Sequence, residues 1–178
     1  MESSLARRIY DVSHITGTFT LRSGTVSHEY FDKYLFESDP ALLRAIAEAM
    51  VALLPADPDG PDALAGLELG GVPLATMLSQ ASGLPALFIR KEAKTYGTCR
   101  LAEGGDIEGR RLVIVEDVVT SGGAVLDAAA ALRSRGATLD TVICAIDRES
   151  GGKENLAAAG LGLRPLFTMT ELKASIDG

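Results

Sequence analysis

Two adjacent carboxylates, Glu116 and Asp117, come directly after a short run of apolar and β-branched residues, which is typical of a buried strand. A Thr-Ser-Gly-Gly turn follows at residues 120–123, and the alanine-rich stretch 124–135 then predicts a helix. Such a turn presents free backbone N–H groups at a helix N-terminus, where the helix dipole also favours an anion. Carboxylates beside a bound phosphate suit hydroxyl groups or a metal ion, not the phosphate itself. The segment therefore predicts a site for a phosphorylated sugar.

This glycine turn differs from other ligand-binding signatures. The Gly-Lys-Ser/Thr sequence of a P-loop is missing, and no G-x-G-x-x-G follows the strand as it does in dinucleotide-binding folds. A receiver domain also has acids after an apolar strand, but it lacks a glycine turn directly behind them. An ordinary strand-to-helix turn without a ligand is the remaining alternative.

A second glycine turn and a basic segment follow two other predicted strands. Gly70 and Gly71 come after an apolar segment and open a helix, which indicates either a second anion site or a purely structural turn. Arg90, Lys91 and Lys94 come just after another apolar segment, and the glycine-containing stretch to residue 105 has no apolar periodicity. This stretch is either a solvated charged loop or a mobile lid over a polyphosphate.

Three further residues are candidates for contact with a planar ligand. Arg148 follows the predicted strand 139–146, where it forms either a surface salt bridge or a bidentate contact with a carboxylate. Tyr30 and Phe31 lie near the N-terminus, and their rings either pack in the core or flank a flat aromatic ligand.

Strand and helix patterns alternate along the chain, which predicts an α/β fold with a mostly parallel twisted sheet and helices on both faces. The glycine turns, the basic segment and Arg148 then lie at the carboxyl ends of strands, where open α/β sheets bind ligands. We expect extended structure at 17–24 and 25–36. Helices are expected at 2–15, 39–54, 73–82, 124–135 and 155–159, with a last helix from 170. Strands are expected at 63–69, 85–89, 112–115, 139–146 and 163–169.

Composition limits the class of protein. The chain has 178 residues, 47% of them hydrophobic, and a net charge of −7. This predicts one domain, residues 1–178, in which residues 1–35 and part of the C-terminus form a small cap over the site. The negative charge argues against a nucleic-acid partner. Without a signal peptide or an apolar run of membrane length, and with Cys99 and Cys144 as separate free thiols, we expect a cytoplasmic protein with no membrane partner.

Residues 112–124 resemble the ribose-phosphate signature of the phosphoribosyltransferases. In that family the acids bind the ribose hydroxyls of 5-phosphoribosyl 1-pyrophosphate (PRPP), the turn binds its 5-phosphate, and the earlier glycine turn is the pyrophosphate loop. The resemblance implies that Lys91, Lys94 and Asp117 are catalytic. The PRPP-binding residues that it implies are Arg22, Gly70, Gly71, Arg90, Lys91, Lys94, Tyr96, Glu116, Asp117, Val118, Val119, Thr120, Ser121, Gly122, Gly123 and Ala124.

Segments 17–24, 30–32, 88–94 and 147–148 resemble, in this order, the branch of the family that acts on orotate. The resemblance implies that ribose 5-phosphate is transferred from PRPP to orotate, giving orotidine 5-phosphate and pyrophosphate, in de novo pyrimidine synthesis. It implies Mg²⁺ as a cofactor that is held mainly by the substrate, with no direct protein ligand. Orotate would be bound by Thr120 and Arg148, with Tyr30 and Phe31 beside its ring.

The resemblance also implies a homodimer in which the basic loop reaches the neighbouring site. Two residues depart from the pattern of many members: Tyr96 replaces a loop histidine, and Arg22 replaces an N-terminal lysine.

Two alternative functions remain open. One alternative is a phosphoribosyltransferase for another base, which Arg148 disfavours because a neutral purine has no carboxylate. The other is a regulator that senses PRPP, which the loop lysines and the negative charge disfavour.

Overall fold

The computed structural model describes residues 4–20, 24–56, 58, 60–92 and 101–176. The strands in these residues are β1 (His14–Thr20), β2 (Val26–Phe31), β3 (Ala63–Leu67), β4 (Ala86–Ile89), β5 (Ala102–Glu103), β6 (Arg111–Val119), β7 (Thr138–Asp147) and β8 (Gly162–Thr168). The α-helices are α1 (Leu5–Ser13), α2 (Lys33–Ser38), α3 (Pro40–Met50), α4 (Gly71–Ser82), α5 (Gly123–Arg133), α6 (Gly152–Ala158) and α7 (Met169–Ala174). No helix of the described residues is long and apolar enough to cross a bilayer.

The main sheet has six strands in the order β5-β4-β3-β6-β7-β8. Its neighbouring strands pair in parallel except for the short β5, which pairs antiparallel with β4. One apolar core lies between the sheet and helices α5 and α6, and a second lies between the sheet and helices α1 to α4 and α7. The predicted α/β fold with helices on both faces is therefore confirmed.

The N-terminal residues form a unit beside the main sheet. Strands β1 and β2 pair antiparallel as a separate two-stranded sheet. Helix α1 packs against the C-terminal helix α7, and the Arg7 guanidinium donates a hydrogen bond to the carbonyl of Ile176. This arrangement brings the two ends of the described chain to the same side of the molecule.

Local signals explain most helix starts. The Asp39 carboxylate accepts hydrogen bonds from the backbone N–H groups of Ala41 and Leu42, and Pro40 stands at the first position of α3. Thr168 and Glu171 form a capping box at the start of α7. These two helices begin where the sequence predicts them.

Two differences from the prediction concern the site. Residues 33–36 were expected to belong to an extended segment, but residues 33–38 form α2, because the Asp32 side chain accepts a hydrogen bond from the N–H of Tyr34 and caps a new helix. The strand before the acidic pair is also longer than predicted: β6 runs to Val119, so that Glu116 and Asp117 lie within it. Pairing with β7 on one side continues to Val119 and carries the strand beyond its apolar part.

Candidate active site

The carboxyl ends of β3, β6 and β7 meet at one edge of the sheet because these strands are parallel neighbours. The turn 68–70 follows β3, the turn 120–122 follows β6, and Arg148 follows β7. The backbone N–H of Arg148 donates to the carbonyl of Val119 at 2.8 Å. This hydrogen bond fixes the start of the loop after β7 beside the turn after β6. The structure thus brings together three of the segments that the sequence singles out.

The turn after β6 is open to solvent. Thr120, Ser121, Gly123 and Ala124 are exposed, whereas Gly122 is buried and has a φ of +81°, a conformation that glycine adopts without strain. Among the described residues no side chain caps the first turn of α5, so its N–H groups are available to an anion.

Asn155 on α6 supports the same turn. Its side-chain amide donates a hydrogen bond to the carbonyl of Ser121 at 3.0 Å. This contact holds the backbone of the turn from the side, and no pattern along the chain indicates it.

The acidic pair is buried. Asp117 has 0% of its surface exposed and Glu116 has 9%. The Oδ1 atom of Asp117 accepts a hydrogen bond from the N–H of Val118 at 2.6 Å, and the Oε1 atom of Glu116 accepts one from the N–H of Asp117 at 3.0 Å. Each carboxylate is therefore tied to the backbone at the end of β6.

Helix α2 supplies two more charged groups to this pair. The Nζ atom of Lys33 lies 2.7 Å from Oδ2 of Asp117. Glu37, one turn further along α2, is buried, and no hydrogen-bond donor in the described part of the chain reaches its Oε1 atom. Three carboxyl groups and one ammonium group thus share a small, mostly buried space.

Crowding of acids changes their pKa values in opposite directions. Burial, followed by the hydrogen bond and the charge of Asp117, raises the pKa of Glu37 to about 9. Burial and then Asp117 also raise the pKa of Glu116 well above its usual range. Burial opposes the ionisation of Asp117, but hydrogen bonds with Glu116, Glu37 and Lys33 outweigh burial and lower the pKa of Asp117. The crowding therefore favours an ionised Asp117 and a protonated Glu37, and it shifts Glu116 toward its protonated form.

The glycine turn after β3 lies directly against Asp117. The peptide bond between Glu68 and Leu69 is cis, and α4 begins at Gly71. A Cβ atom on Gly70 would overlap the carboxylate of Asp117, and one on Gly71 would overlap the carbonyl of Val115. Both glycines are buried and are required for close packing of the turn on β6.

The same turn contacts the start of the basic segment. The side chain of Glu68 accepts a hydrogen bond from the backbone N–H of Lys91, and the N–H of Glu68 donates to the carbonyl of Ile89. Arg90 is half-buried, and its buried Nε atom has no hydrogen-bond partner in the described residues. Lys91 is exposed. Lys94, Tyr96 and Arg22 lie outside the described residues.

The candidate orotate-binding residues lie between the N-terminal hairpin and the β7 loop. The guanidinium of Arg148 lies 5.9 Å from the centre of the Phe31 ring, and Tyr30 is exposed and contacts Phe19. Phe31 and Arg148 line a cavity of about 260 Å³, together with Tyr10, His14 and Glu29 of the N-terminal unit and Lys173 of α7. Thr120 is exposed at the end of β6.

Lys33, Glu37 and Glu68 are charged residues of this region that the sequence analysis missed. A signal was present for the first two, because Asp32 can cap a helix and residues 33 and 37 are then one turn apart on the same face. Glu68 had no signal, because its contact with Lys91 joins residues 23 apart in the chain.

Comparison with known proteins agrees with this arrangement. The model of the phosphoribosyl transferase domain matches residues 36–159. An orotate phosphoribosyltransferase of Nocardioides sp. is 57% identical over 175 residues, which cover 98% of this chain and 96% of that protein. The chain therefore belongs to the phosphoribosyltransferase family, and within it to the orotate phosphoribosyltransferases.

Solved structures are similar over the same length. The orotate phosphoribosyltransferase of Mycobacterium tuberculosis H37Rv in complex with Fe(III) dicitrate has a TM-score of 0.85 and 32% identity, covering 94% of this chain and 96% of that one. The same enzyme in complex with PRPP has a TM-score of 0.80 and 29% identity, covering 95% of this chain and 96% of that one.

Proposed function

We propose that this protein transfers ribose 5-phosphate from PRPP to orotate, giving orotidine 5-phosphate and pyrophosphate, as a step of pyrimidine synthesis. One observation carries the proposal: a buried acidic pair lies near the carboxyl end of the strand that leads to the N-terminus of α5, and Arg148 directly follows the neighbouring strand. The first two features suit the ribose and the phosphate of PRPP, and Arg148 suits a carboxylate. The family relationship supports the same reaction.

Within this proposal, the turn 120–124 binds the 5-phosphate and Glu116 and Asp117 face the ribose. The pKa of Glu116 is raised and that of Asp117 is lowered, and an ionised carboxylate only accepts hydrogen bonds whereas a protonated carboxyl group also donates one. Two acids with opposite shifts therefore suit a pair of sugar hydroxyls. Val118 and Val119 contribute through the backbone that joins the acids to the turn.

Departure of pyrophosphate leaves positive charge on the ribosyl carbon and adds negative charge to the leaving group, so that electrostatic stabilisation dominates catalysis. Arg90, Lys91 and Lys94 would bind the pyrophosphate, with Arg22 and Tyr96 as further contacts and Gly70 and Gly71 approaching it through the backbone. The buried Nε atom of Arg90, which has no partner among the described residues, supports an acidic ligand beside this residue.

Mg²⁺ is proposed as the cofactor, and when bound it would supply charge neutralisation at the pyrophosphate. The described residues contain no group of three or more His, Cys, Asp or Glu side chains that could hold a metal ion, and the Asp117 oxygens already contact Lys33 and the Val118 N–H. We propose that PRPP oxygens supply most of the ligands of the ion.

Orotate is a planar acid, and we propose that Arg148 pairs with its carboxylate while Thr120 hydrogen-bonds its ring. Phe31 would lie against one edge of the ring, and Tyr30 would cover it from the hairpin. The support is the position of Arg148 close to the Phe31 ring and its fixed backbone.

The catalytic unit is proposed to be a homodimer in the cytoplasm, each chain being a single domain, 1–178, whose N-terminal residues and C-terminus form a cap. The contact between α1 and α7 supports the cap, and the buried free thiol of Cys144 suits a reducing compartment. The exposed apolar side chains of Tyr34 and Leu69 near the site are candidates for cover by a second copy.

Mixing two inactive variants tests the dimer. If Lys94 acts on the neighbouring site, a mixture of Lys94→Ala and Asp117→Asn forms heterodimers with one intact site, and re-equilibration restores about a quarter of the wild-type rate. No recovery after confirmed subunit exchange would show that the basic loop serves its own site.

The proposed reaction is tested by incubating the protein with PRPP and Mg²⁺ and with orotate, adenine, uracil or hypoxanthine in parallel. We expect turnover of orotate alone, and in Arg148→Gln a rise in the KM for orotate of about 10-fold or more. Arg135→Gln, at the far end of α5, is the matched control. Turnover of a neutral base would contradict the role of Arg148, and no turnover with any base would contradict the proposed function.

A further inference from the structure

Lys33 and Glu37 reach the acidic pair from outside the strand and turn that carry it. Both lie on α2, which leads from the N-terminal hairpin to α3, and Lys33 precedes the segment 36–159 that matches the family model. The Lys33 side chain is about one-third exposed, whereas Asp117 is fully buried. One end of this ion pair is thus anchored in the sheet, and the other extends from the cap.

The groups that face Asp117 leave Lys33 as its cationic partner within the described residues. Glu37 from α2 and Glu116 from β6 are carboxyl groups, and Asp32 and Tyr34 add negative or polar character near Glu37 and Lys33. The turn after β3 contributes only the backbone of Gly70, whose Cα hydrogen points at the carboxylate. A buried carboxylate without a cation takes up a proton, because burial disfavours its charged form.

The orientation of the Asp117 carboxylate also depends on its ion pair with Lys33. Its Oδ1 atom accepts a hydrogen bond from the Val118 N–H. Its Oδ2 atom, which lies against Gly70, has no well-aligned hydrogen bond among the described residues and relies on the ion pair with Lys33. Removal of Lys33 leaves Oδ2 without its cationic partner and lets the carboxyl group share a proton with Glu37, whose Oε1 atom also lacks a donor in the described part of the chain.

We propose that Lys33 is a positioning residue for the transfer reaction: it holds Asp117 ionised and fixed beneath the turn after β3, so that the cap helix α2 sets how the acidic pair meets the ribose of PRPP. This inference rests on the proposed function, and it adds to it a residue that does not touch the reacting atoms.

The test compares Lys33→Met and Lys33→Arg with wild-type protein and with Arg44→Met, which removes an exposed cation from the neighbouring helix α3. In Lys33→Met we expect the KM for PRPP to rise by about 10-fold or more, while the KM for orotate changes by less than about 2-fold. The acidic limb of the pH profile of kcat/KM for PRPP moves to higher pH, because Asp117 without its cation ionises less readily. Lys33→Arg restores most of both properties, and Arg44→Met behaves as the wild type.

A double variant distinguishes positioning from loss of packing. In Lys33→Met with Glu37→Gln, the amide can donate a hydrogen bond to Asp117 and one of the crowded acids is gone, so PRPP binding recovers in part. Two independent structural defects would instead add. Thermal unfolding followed by circular dichroism checks that each variant is folded, and Lys33→Gln, which keeps a polar side chain without the charge, carries the test if the methionine variant is not.

Failure of the inference differs from failure of the proposed function. Wild-type turnover of orotate, with an unchanged KM for PRPP and an unchanged pH profile in Lys33→Met, would overturn the role of Lys33 and leave the function intact. If the wild type turns over no base, calorimetric titration with PRPP and Mg²⁺ replaces kinetics: weaker binding in Lys33→Met supports the role of Lys33, and equal binding overturns it.

Discussion

The two glycine turns at the carboxyl edge look alike in sequence but differ in structure. In the turn after β3, Gly70 and Gly71 are buried against β6, where a Cβ atom on either would overlap Asp117 or Val115. In the turn after β6, Gly123 is exposed, and an added Cβ would have only the Ser121 hydroxyl at 4.0 Å as a neighbour. The first turn uses both of its glycines to pack on β6, whereas in the second turn Gly122 is buried and Gly123 leaves space for a ligand.

This difference assigns separate tasks to two similar motifs. The turn after β3 is connected to charged side chains from α2, from β6 and from the basic segment through Asp117 and Glu68. The turn after β6 is held by Asn155 and otherwise offers backbone N–H groups to solvent. We therefore expect the first turn to be sensitive to substitutions that disturb packing and charge, and the second to substitutions that fill ligand space.

The largest effect is expected for Gly70→Ala. The new methyl group takes the space of the Asp117 carboxylate, which is held by Lys33 and the Val118 N–H and cannot move without breaking one of them. We expect kcat/KM for PRPP to fall by about 100-fold, as small displacements of catalytic groups do. Steady-state kinetics measures this, and a fall of less than about 3-fold would show that the turn is not tightly packed on Asp117.

Gly123→Ala is the matching substitution in the second turn. The added methyl group meets no protein atom closer than the Ser121 hydroxyl at 4.0 Å, so the free energy of unfolding should change by less than about 0.5 kcal/mol. The methyl group enters the space assigned to the 5-phosphate, and the KM for PRPP should rise by about 10-fold. Denaturant titration and kinetics together check both parts. A large loss of stability with an unchanged KM would reverse the roles of the two turns.

Glu68→Ala tests the connection between the first turn and the basic segment. The variant loses the hydrogen bond to the backbone N–H of Lys91, and a contact between exposed groups contributes about 0.5–1.5 kcal/mol. We expect about a 3-fold to 10-fold rise in the KM for PRPP, with Glu68→Gln close to wild type because its amide oxygen still accepts. Equal losses in the alanine and glutamine variants would show that the charge of Glu68, and not its hydrogen bond, is used.

The smallest effect at neutral pH is expected in the stability of Glu37→Gln. The pKa of Glu37 rises from 4.5 to about 9 on folding, so the folded state binds this proton more tightly than the unfolded state. The contribution of Glu37 to stability is complete below pH 4.5 and is lost as the pH rises to about 9. Glutamine does not titrate, and the free energy of unfolding should fall less steeply over this range in the variant. Urea titrations at several pH values measure the slope, and identical slopes would contradict the protonated state of Glu37.

Chemistry that is local in the chain was predictable from sequence. The acidic pair, the turn and the start of α5 are consecutive residues, so their spacing alone predicts a sugar-phosphate site beside the sheet edge. The alternation of strands and helices predicts the parallel sheet, and Asp39 with Pro40 predicts the start of α3, as the structure confirms.

Contacts between distant segments were not predictable. Lys33 and Glu37 lie about 80 residues before Asp117. Lys33 was assigned to extended structure and Glu37 to no element, because the aromatic residues before them obscured the cap at Asp32. Burial of Asp117 results from packing of α2 and the first turn on β6, which residue patterns along one strand do not reveal. The states of the three acids follow from this packing and so could be derived only from the structure.

The most direct test of the account is the stoichiometry of the reaction. Orotate consumed, orotidine 5-phosphate formed and pyrophosphate released are measured together with PRPP and Mg²⁺, for wild-type protein and for Asp117→Asn. The account predicts equal amounts of all three in the wild type and a much slower reaction of unchanged stoichiometry in Asp117→Asn. Pyrophosphate release without orotidine 5-phosphate, or an unaffected Asp117→Asn variant, would contradict it.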